Sequence, residues 1–180
     1  MSDSRDEIIH IILTGGTIDS VWSGAKDTVV VSEQSVLPEY FDEIRRNLKF
    51  YQELTFTEVC MKDSRKLTDE DRENILKAVE ASGTDKIIIT HGTYTMPVTA
   101  RFLKENLKRK DQTIVLTGAV VPLKEFNFSD GPFNLGFAFA EVQTLEPGIY
   151  VCMNAKVFVP EEVAKNTDEA KFYSKFRNEQ

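Results

Sequence analysis

The sequence has few of the residues that bind metals or form disulfide bonds. It contains two cysteines and two histidines among 180 residues. Cys60 and Cys152 each lie in an apolar stretch without the paired spacing of a zinc site, so we expect buried, reduced thiols. His10 lies inside the first apolar run and His91 stands alone in a turn, so no two imidazoles are arranged as metal ligands. The sequence therefore predicts no metal site.

Basic residues and long apolar runs are also scarce. Acidic residues outnumber basic ones by 29 to 22, which gives a formal net charge of -7 and disfavours nucleic acid or an anionic membrane as a partner. No apolar run approaches the ~20 residues that span a bilayer, and the N-terminus is acidic rather than a basic signal start. We therefore expect a cytoplasmic protein, and its 41% hydrophobic content is typical of one compact domain over residues 1–180.

Short β-branched runs alternate along the chain with segments that have helical spacing. The predicted strands are 8–13, 54–61, 87–89, 113–116 and 149–153, and the predicted helices are 38–47, 69–81 with Thr68 as N-cap, 96–107 and 133–142. Segment 54–61 begins with polar alternation, which indicates an edge strand, and the charged tail from Glu161 is a candidate helix. The alternation predicts a doubly wound α/β fold, with a mostly parallel sheet of about five strands and helices on both faces.

Three polar turns directly follow predicted strands, at residues 14–17, 90–95 and 117–119. Ligands of doubly wound sheets bind beyond the carboxyl ends of the strands, so these turns should meet at one rim. Glycine and threonine also occur in such turns for purely structural reasons. The spacing of a dinucleotide or Walker phosphate loop is missing, so we expect no cofactor.

Hydroxyl groups in two of these turns suggest nucleophilic catalysis. A threonine alcohol attacks a carbonyl only when a base takes its proton and donors stabilise the oxyanion. The turns themselves contain no obvious base. A lysine, a tyrosine or a distant carboxylate could serve.

Four ordered motifs resemble those of the bacterial-type L-asparaginases. They are Thr14-Gly15-Gly16-Thr17-Ile18, Thr90-His91-Gly92-Thr93-Tyr94-Thr95-Met96, Leu116-Thr117-Gly118-Ala119 and Asp130-Gly131-Pro132-Phe133-Asn134-Leu135. The resemblance runs over residues 8–167 and covers the N-terminal catalytic domain of that family, so we expect a short-chain form without the smaller C-terminal domain. It implies hydrolysis of a small side-chain amide, L-asparagine or a related compound, with release of ammonia.

The resemblance also implies roles for individual residues. Thr17 would be the nucleophile, Thr93 the second catalytic threonine, and Lys165 the lysine that relays its proton. The implied substrate-binding residues are Gly16, Ser64, Gly92, Tyr94, Gly118 and Ala119. Ser64 would hold the substrate carboxylate, although a plain polar turn explains Asp63-Ser64 equally well. The backbones of the glycine turns would supply binding or oxyanion donors, and the segment 130–134 is expected to be a structural helix entry.

Two positions depart from the family pattern. Tyr94 stands where the family has an aspartate that holds the α-ammonium of the substrate, and a phenol carries no charge at neutral pH. The family tyrosine of the lid is also missing, because no tyrosine occurs between Thr17 and Tyr40. One hypothesis is that the Tyr94 hydroxyl partly replaces that missing phenol.

These departures leave two alternatives open. The chain could be a catalytically silent binding or regulatory module with an asparaginase fold. It could also hydrolyse a different amide, one that lacks an α-ammonium group.

By analogy with family sites that a neighbouring subunit completes, we expect a homodimer or homotetramer.

Overall fold

The computed structural model describes residues 8–124 and 126–176. Its strands are β1 (Ile8–Gly15), β2 (Ser20–Ser23), β3 (Thr28–Val31), β4 (Glu53–Lys62), β5 (Lys86–Thr90), β6 (Thr113–Thr117), β7 (Gly148–Met153), β8 (Lys156–Phe158), β9 (Val163–Asn166) and β10 (Lys171–Ser174). Its helices are α1 (Leu37–Leu48), α2 (Asp69–Glu80), α3 (Met96–Asn106) and α4 (Gly131–Thr144). None of the helices in these residues is long and apolar enough to cross a bilayer.

The central sheet confirms the predicted fold class. Its strand order is β4-β1-β5-β6-β7-β8, and all neighbouring pairs are parallel except the last. The sheet has six strands rather than five, because the short β8 adds an antiparallel edge. The strand β4 forms the other edge, as its polar alternation predicted.

Apolar residues of the central strands alternate between two core layers. Ile12, Ile87 and Ile89 pack against α2 and α3 on one face of the sheet. Ile11 and Ile88 pack against α1 and α4 on the other face. Because both faces are covered, the strands are apolar at consecutive positions, as expected for buried parallel strands.

The start of α2 fixes the turn that follows β4. Thr68 is the N-cap as predicted, and it forms a capping box in which its hydroxyl accepts from the Asp71 amide while the Asp71 carboxylate accepts from the Thr68 amide. The Lys62 ammonium, at the end of β4, donates to the same carboxylate over 2.7 Å. The turn 63–67 is therefore held at both ends.

Two predictions about local structure are wrong. The charged segment after Glu161 is not helical, because β9 and β10 form an antiparallel hairpin whose alternation buries Phe172 and Ser174 and exposes Lys171 and Tyr173. Charged residues in this segment obscure the alternation of apolar and polar residues that indicates a strand in the sequence. Both cysteines are free, and Cys152 is buried as predicted, but Cys60 is only partly buried because β4 is an edge strand.

Candidate active site

The turns after β1 and β5 meet in tight backbone contact. Gly16 has φ +83°, and a Cβ atom there would lie 2.5 Å from the Gly92 amide nitrogen. A Cβ atom on Gly92 would in turn lie 2.6 Å from the Ser64 side chain. Only glycine allows both the positive φ and this approach. We call Gly16, Gly92 and Ser64 the glycine stack.

A cavity of about 540 Å³ opens above the glycine stack. The predicted site residues that line it are Gly16, Thr17, Ser64, Gly92, Thr93 and Tyr94. The hairpin of β2 and β3, which we call the lid, supplies most of the opposite wall, including Thr28 and Lys26. The structure thus brings two of the three predicted turns, and the turn after β4, around one space.

Thr93 and Lys165 form a direct pair beside the cavity. The Lys165 Nζ donates to the Thr93 Oγ1 over 2.7 Å, although the two residues are 72 positions apart. Thr93 is buried, and Lys165 lies in β9, within the hairpin that stands in place of the predicted candidate helix. Burial, followed by the positive charge of Arg65, lowers the pKa of Lys165. This environment favours the neutral amine, which is the form that can accept a proton.

Thr17 presents its hydroxyl without a competing partner. It begins a short 3-10 turn, Thr17–Asp19, directly after the glycine stack, and its side chain is partly buried. Its Oγ1 forms no hydrogen bond within residues 8–124 and 126–176. The neighbouring Ser20 hydroxyl, by contrast, donates to the Gly16 carbonyl over 3.0 Å.

His91 shapes the second turn rather than acting as a base. The ring is fully buried between the Gly92 carbonyl at 2.7 Å and the Thr99 hydroxyl at 2.9 Å. Burial lowers the pKa of His91 to about 4, so the ring is neutral at neutral pH. A carbonyl can only accept, so Nδ1 carries the proton and Nε2 accepts from Thr99.

Tyr94 lies at the mouth of the cavity between two cations. Its ring is about half exposed, with the Lys165 Nζ 4.2 Å and the Arg65 Cζ 4.8 Å from the ring centroid. Arg65 also forms an ion pair of 2.5 Å with Asp63, and that contact lowers the pKa of Asp63. Arg65 is not among the site residues predicted from the sequence. The sequence feature that could have indicated it is the charged run 62–66, which directly follows β4 and lies at the same carboxyl edge of the sheet as the other turns.

The third turn does not line this cavity. The Gly118 carbonyl accepts from the Asn134 side chain over 3.0 Å, and Ala119 is buried in the core layer beside α4. The Asp130 carboxylate accepts from the backbone amides of Val120 and Val121. The segment before α4 therefore braces this turn, and binding roles for Gly118 and Ala119 stay predictions.

A family model described as asparaginase, N-terminal, matches residues 8–177 of the chain. The chain belongs to the asparaginase family. L-asparaginase 2 of Escherichia coli K12 is 33% identical over 182 residues, covering 92% of this chain and 49% of that protein. The probable periplasmic L-asparaginase of Haemophilus influenzae is 30% identical over 167 residues, covering 90% and 47%.

A solved asparaginase structure agrees with the fold described above. The structure titled as a probable cytoplasmic L-asparaginase from Campylobacter jejuni superposes with a TM-score of 0.77 at 29% identity, covering 93% of this chain and 53% of that one. The chain thus spans about half the length of the asparaginases it matches.

Proposed function

We propose that this protein hydrolyses a small side-chain amide, L-asparagine or a related compound, and that Thr17 is the nucleophile. The hydrogen bond of 2.7 Å between Lys165 and Thr93 carries the proposal. It supports a proton-transfer pair at the cavity that Thr17 also lines. Membership of the asparaginase family supports the reaction class.

The reaction proceeds in two steps. Thr17 Oγ1 attacks the amide carbon as the neutral amine of Lys165 takes the Thr17 hydroxyl proton, the carbon–nitrogen bond breaks, and ammonia leaves with that proton. Water then attacks the acyl-enzyme and loses a proton through Thr93 to the neutral amine of Lys165. Lys165 returns that proton to Thr17 Oγ1 as the ester bond breaks, which releases the acid and restores the enzyme.

The remaining residues of the cavity position the substrate. Ser64 offers a hydroxyl at the glycine stack, where it already accepts from the Thr95 amide over 3.4 Å and can donate to a substrate carboxylate. The backbones of Gly16 and Gly92 bound the same space. The hypothesis that the Tyr94 hydroxyl replaces a lid phenol stays a prediction.

Substitution of Thr17 tests the reaction. We expect Thr17→Ala to lower ammonia release from L-asparagine, D-asparagine, L-glutamine or a related amide by about 10³-fold or more, because the acyl intermediate cannot form. Thr28→Ala removes an exposed threonine from the lid wall of the same cavity, and we expect it to retain activity. Ammonia release that is equal in wild type and Thr17→Ala, on these amides and on a broader amide library, would contradict the proposal.

A silent binding module is the second candidate. Tyr94 and its two flanking cations favour it, because the family carboxylate that holds the α-ammonium is replaced here. This candidate predicts ligand binding without turnover in the same experiment.

We further propose that residues 1–180 form one domain that assembles as a homodimer or homotetramer. The large exposed apolar side chains of Phe128, just before α4, and Phe133, within α4, support self-association. Light scattering over a concentration series would test it, with a constant monomer mass as the contrary result. A cytoplasmic location stays a prediction from sequence, since the relatives include proteins named for either compartment.

A further inference from the structure

The charged residues around the cavity form a positive surface on an acidic chain. Among the described residues, its lining includes the basic residues Lys26, Lys62, Arg65 and Lys66 and one acidic residue, Asp63. The whole chain has a formal net charge of -7. The cavity is therefore opposite in sign to the protein that surrounds it, which favours an anionic ligand.

Two of these cations are free to meet a ligand. Lys62 is paired with Asp71, and Arg65 is paired with Asp63. Lys26 and Lys66 are exposed and form no ion pair within the part of the chain that the structure describes. A ligand carboxylate thus has two unpaired ammonium groups available.

A ligand ammonium finds no unpaired carboxylate among the described residues that line the cavity. The one carboxylate of the described lining, that of Asp63, already accepts from the Arg65 guanidinium. The Tyr94 ring could attract a cation through its π face, but the Lys165 Nζ and the Arg65 Cζ already lie 4.2 and 4.8 Å from its centroid. An ammonium placed there would be repelled by the positive charge of Arg65, and the Lys165 side chain already occupies the space over the ring.

We propose that the substrate is an amide that carries at least one carboxylate and no ammonium group, such as the monoamide of a dicarboxylic acid. The proposal rests on the proposed function in taking the amide as the reacting group. The requirement for a carboxylate and against an ammonium group concerns ligand binding and does not depend on hydrolysis. Lys66 and Lys26 attract the carboxylate, while Arg65, Lys165 and the Tyr94 ring occupy the position that an α-ammonium would need.

Binding to the Thr17→Ala protein tests the charge requirement without turnover. Succinamate and L-asparagine are suitable probes for calorimetry, because they differ only in the α-amino group. We expect succinamate to bind at least about tenfold more tightly, since one like-charge contact in a partly solvated site is enough for that factor. Asparagine binding that is equal or tighter, or no binding of succinamate, would overturn the proposal.

Ammonia release by the wild-type protein is measured in parallel. Release from succinamate that exceeds release from asparagine supports both proposals. Succinamate binding without release would reject the proposed hydrolysis and leave the ligand class standing.

Substitutions at the mouth of the cavity test which of its residues cause the preference for succinamate over L-asparagine. We expect Tyr94→Asp to shift the preference towards asparagine, because it adds the carboxylate that an ammonium needs, and Tyr94→Phe to keep it, because the ring remains. Lys66→Gln should weaken succinamate binding by about threefold or more and reduce its salt dependence. Lys108→Gln, an exposed lysine outside the cavity, is the matched control. Equal effects of the two lysine variants, or an unchanged preference in Tyr94→Asp, would count against this assignment.

Discussion

The two walls of the cavity differ in how firmly their residues are held. The first, which we call the chemical wall, consists of Gly16, Gly92 and Thr93, together with Lys165, which is hydrogen-bonded to Thr93. The second, the recognition wall, consists of Lys26, Arg65, Lys66 and Tyr94. Gly16, Gly92 and Thr93 are buried, and the backbones of the two glycines touch. All four residues of the recognition wall are exposed.

This difference follows from where each wall lies in the fold. The chemical wall stands at the carboxyl ends of β1 and β5 and on β9, where the core fixes the backbone. The recognition wall lies on the lid turn and on short turns after the strands. Side chains there can change charge without a change in the backbone that holds Thr17. Under the proposed function, the residues that take part in the reaction and the residues that select the charge of the substrate are separate parts of one cavity.

Removal of the Lys165 amine is the largest expected effect on the chemical wall. We expect Lys165→Met to lower the rate of ammonia release by about 10²- to 10⁴-fold, the usual range for a general base. Lys175→Met, which removes an exposed lysine just after β10, should keep the wild-type rate. Similar losses in both variants would show that the charge of this region, rather than the base, is what matters.

The pH dependence gives a second measure of the same group. Burial lowers the pKa of Lys165 from its ordinary value of 10.5, and the proposed mechanism requires the neutral amine. The rate should therefore rise with pH and level off, with a midpoint below 10.5. A rate that does not vary across neutral and alkaline pH would contradict a base role for Lys165.

Alanine substitution of one glycine in each region compares how strongly the two backbones are constrained. We expect Gly16→Ala to lower the free energy of unfolding by roughly 2–5 kcal/mol, through the positive φ and the clash with Gly92. Gly24 lies in the lid turn, where an added Cβ atom meets nothing within 4 Å. We expect Gly24→Ala to change the free energy of unfolding by less than about 1 kcal/mol. Urea unfolding of both variants measures the difference, and equal losses would show that the two regions are equally constrained.

Much of the fold could be predicted because the sheet is buried on both faces. Consecutive β-branched residues such as Ile87, Ile88 and Ile89 are typical of such strands, and glycine turns mark where they end. The position of the chemical wall could also be predicted, since parallel strands place the turns with Thr17 and Thr93 at one edge of the sheet. The family resemblance pointed to Lys165 where residue patterns could not, because its contact with Thr93 depends on a hairpin 72 positions away.

The recognition wall was harder to predict. Arg65 and Lys66 belong to a run of charged residues, which is most often only a solvated surface. Their position beside Tyr94 depends on the tertiary packing of the turn after β4 against the glycine stack. Gly118 and Ala119 show the opposite case, because a turn with the right sequence is braced by Asn134 away from the cavity lining.

Asp19 lies between Thr17 and the lid, and its substitution gives the smallest of the predicted effects. Its buried carboxylate accepts from the Ser35 hydroxyl over 2.7 Å and from the Val36 amide over 2.9 Å, which ties the base of the lid to the start of α1. Its other oxygen has no hydrogen-bond partner within the described residues. Burial, against these two hydrogen bonds and with added repulsion from Glu58, raises the pKa of Asp19 to about 6.

A raised carboxyl pKa means that the folded state binds this proton more tightly than the unfolded chain, whose aspartates titrate near pH 3.9. The stability contributed by protonated Asp19 is therefore complete below about pH 4 and is lost as the pH rises through about 6, by roughly 2–3 kcal/mol. Asp19→Asn keeps an acceptor for Ser35 and Val36 but cannot ionise, so its free energy of unfolding should lack that loss. Asp42→Asn removes an exposed carboxylate of α1 and should retain the wild-type dependence. Urea unfolding at several pH values separates the three proteins, and identical curves for wild type and Asp19→Asn would mean that the lid anchor does not titrate in this range.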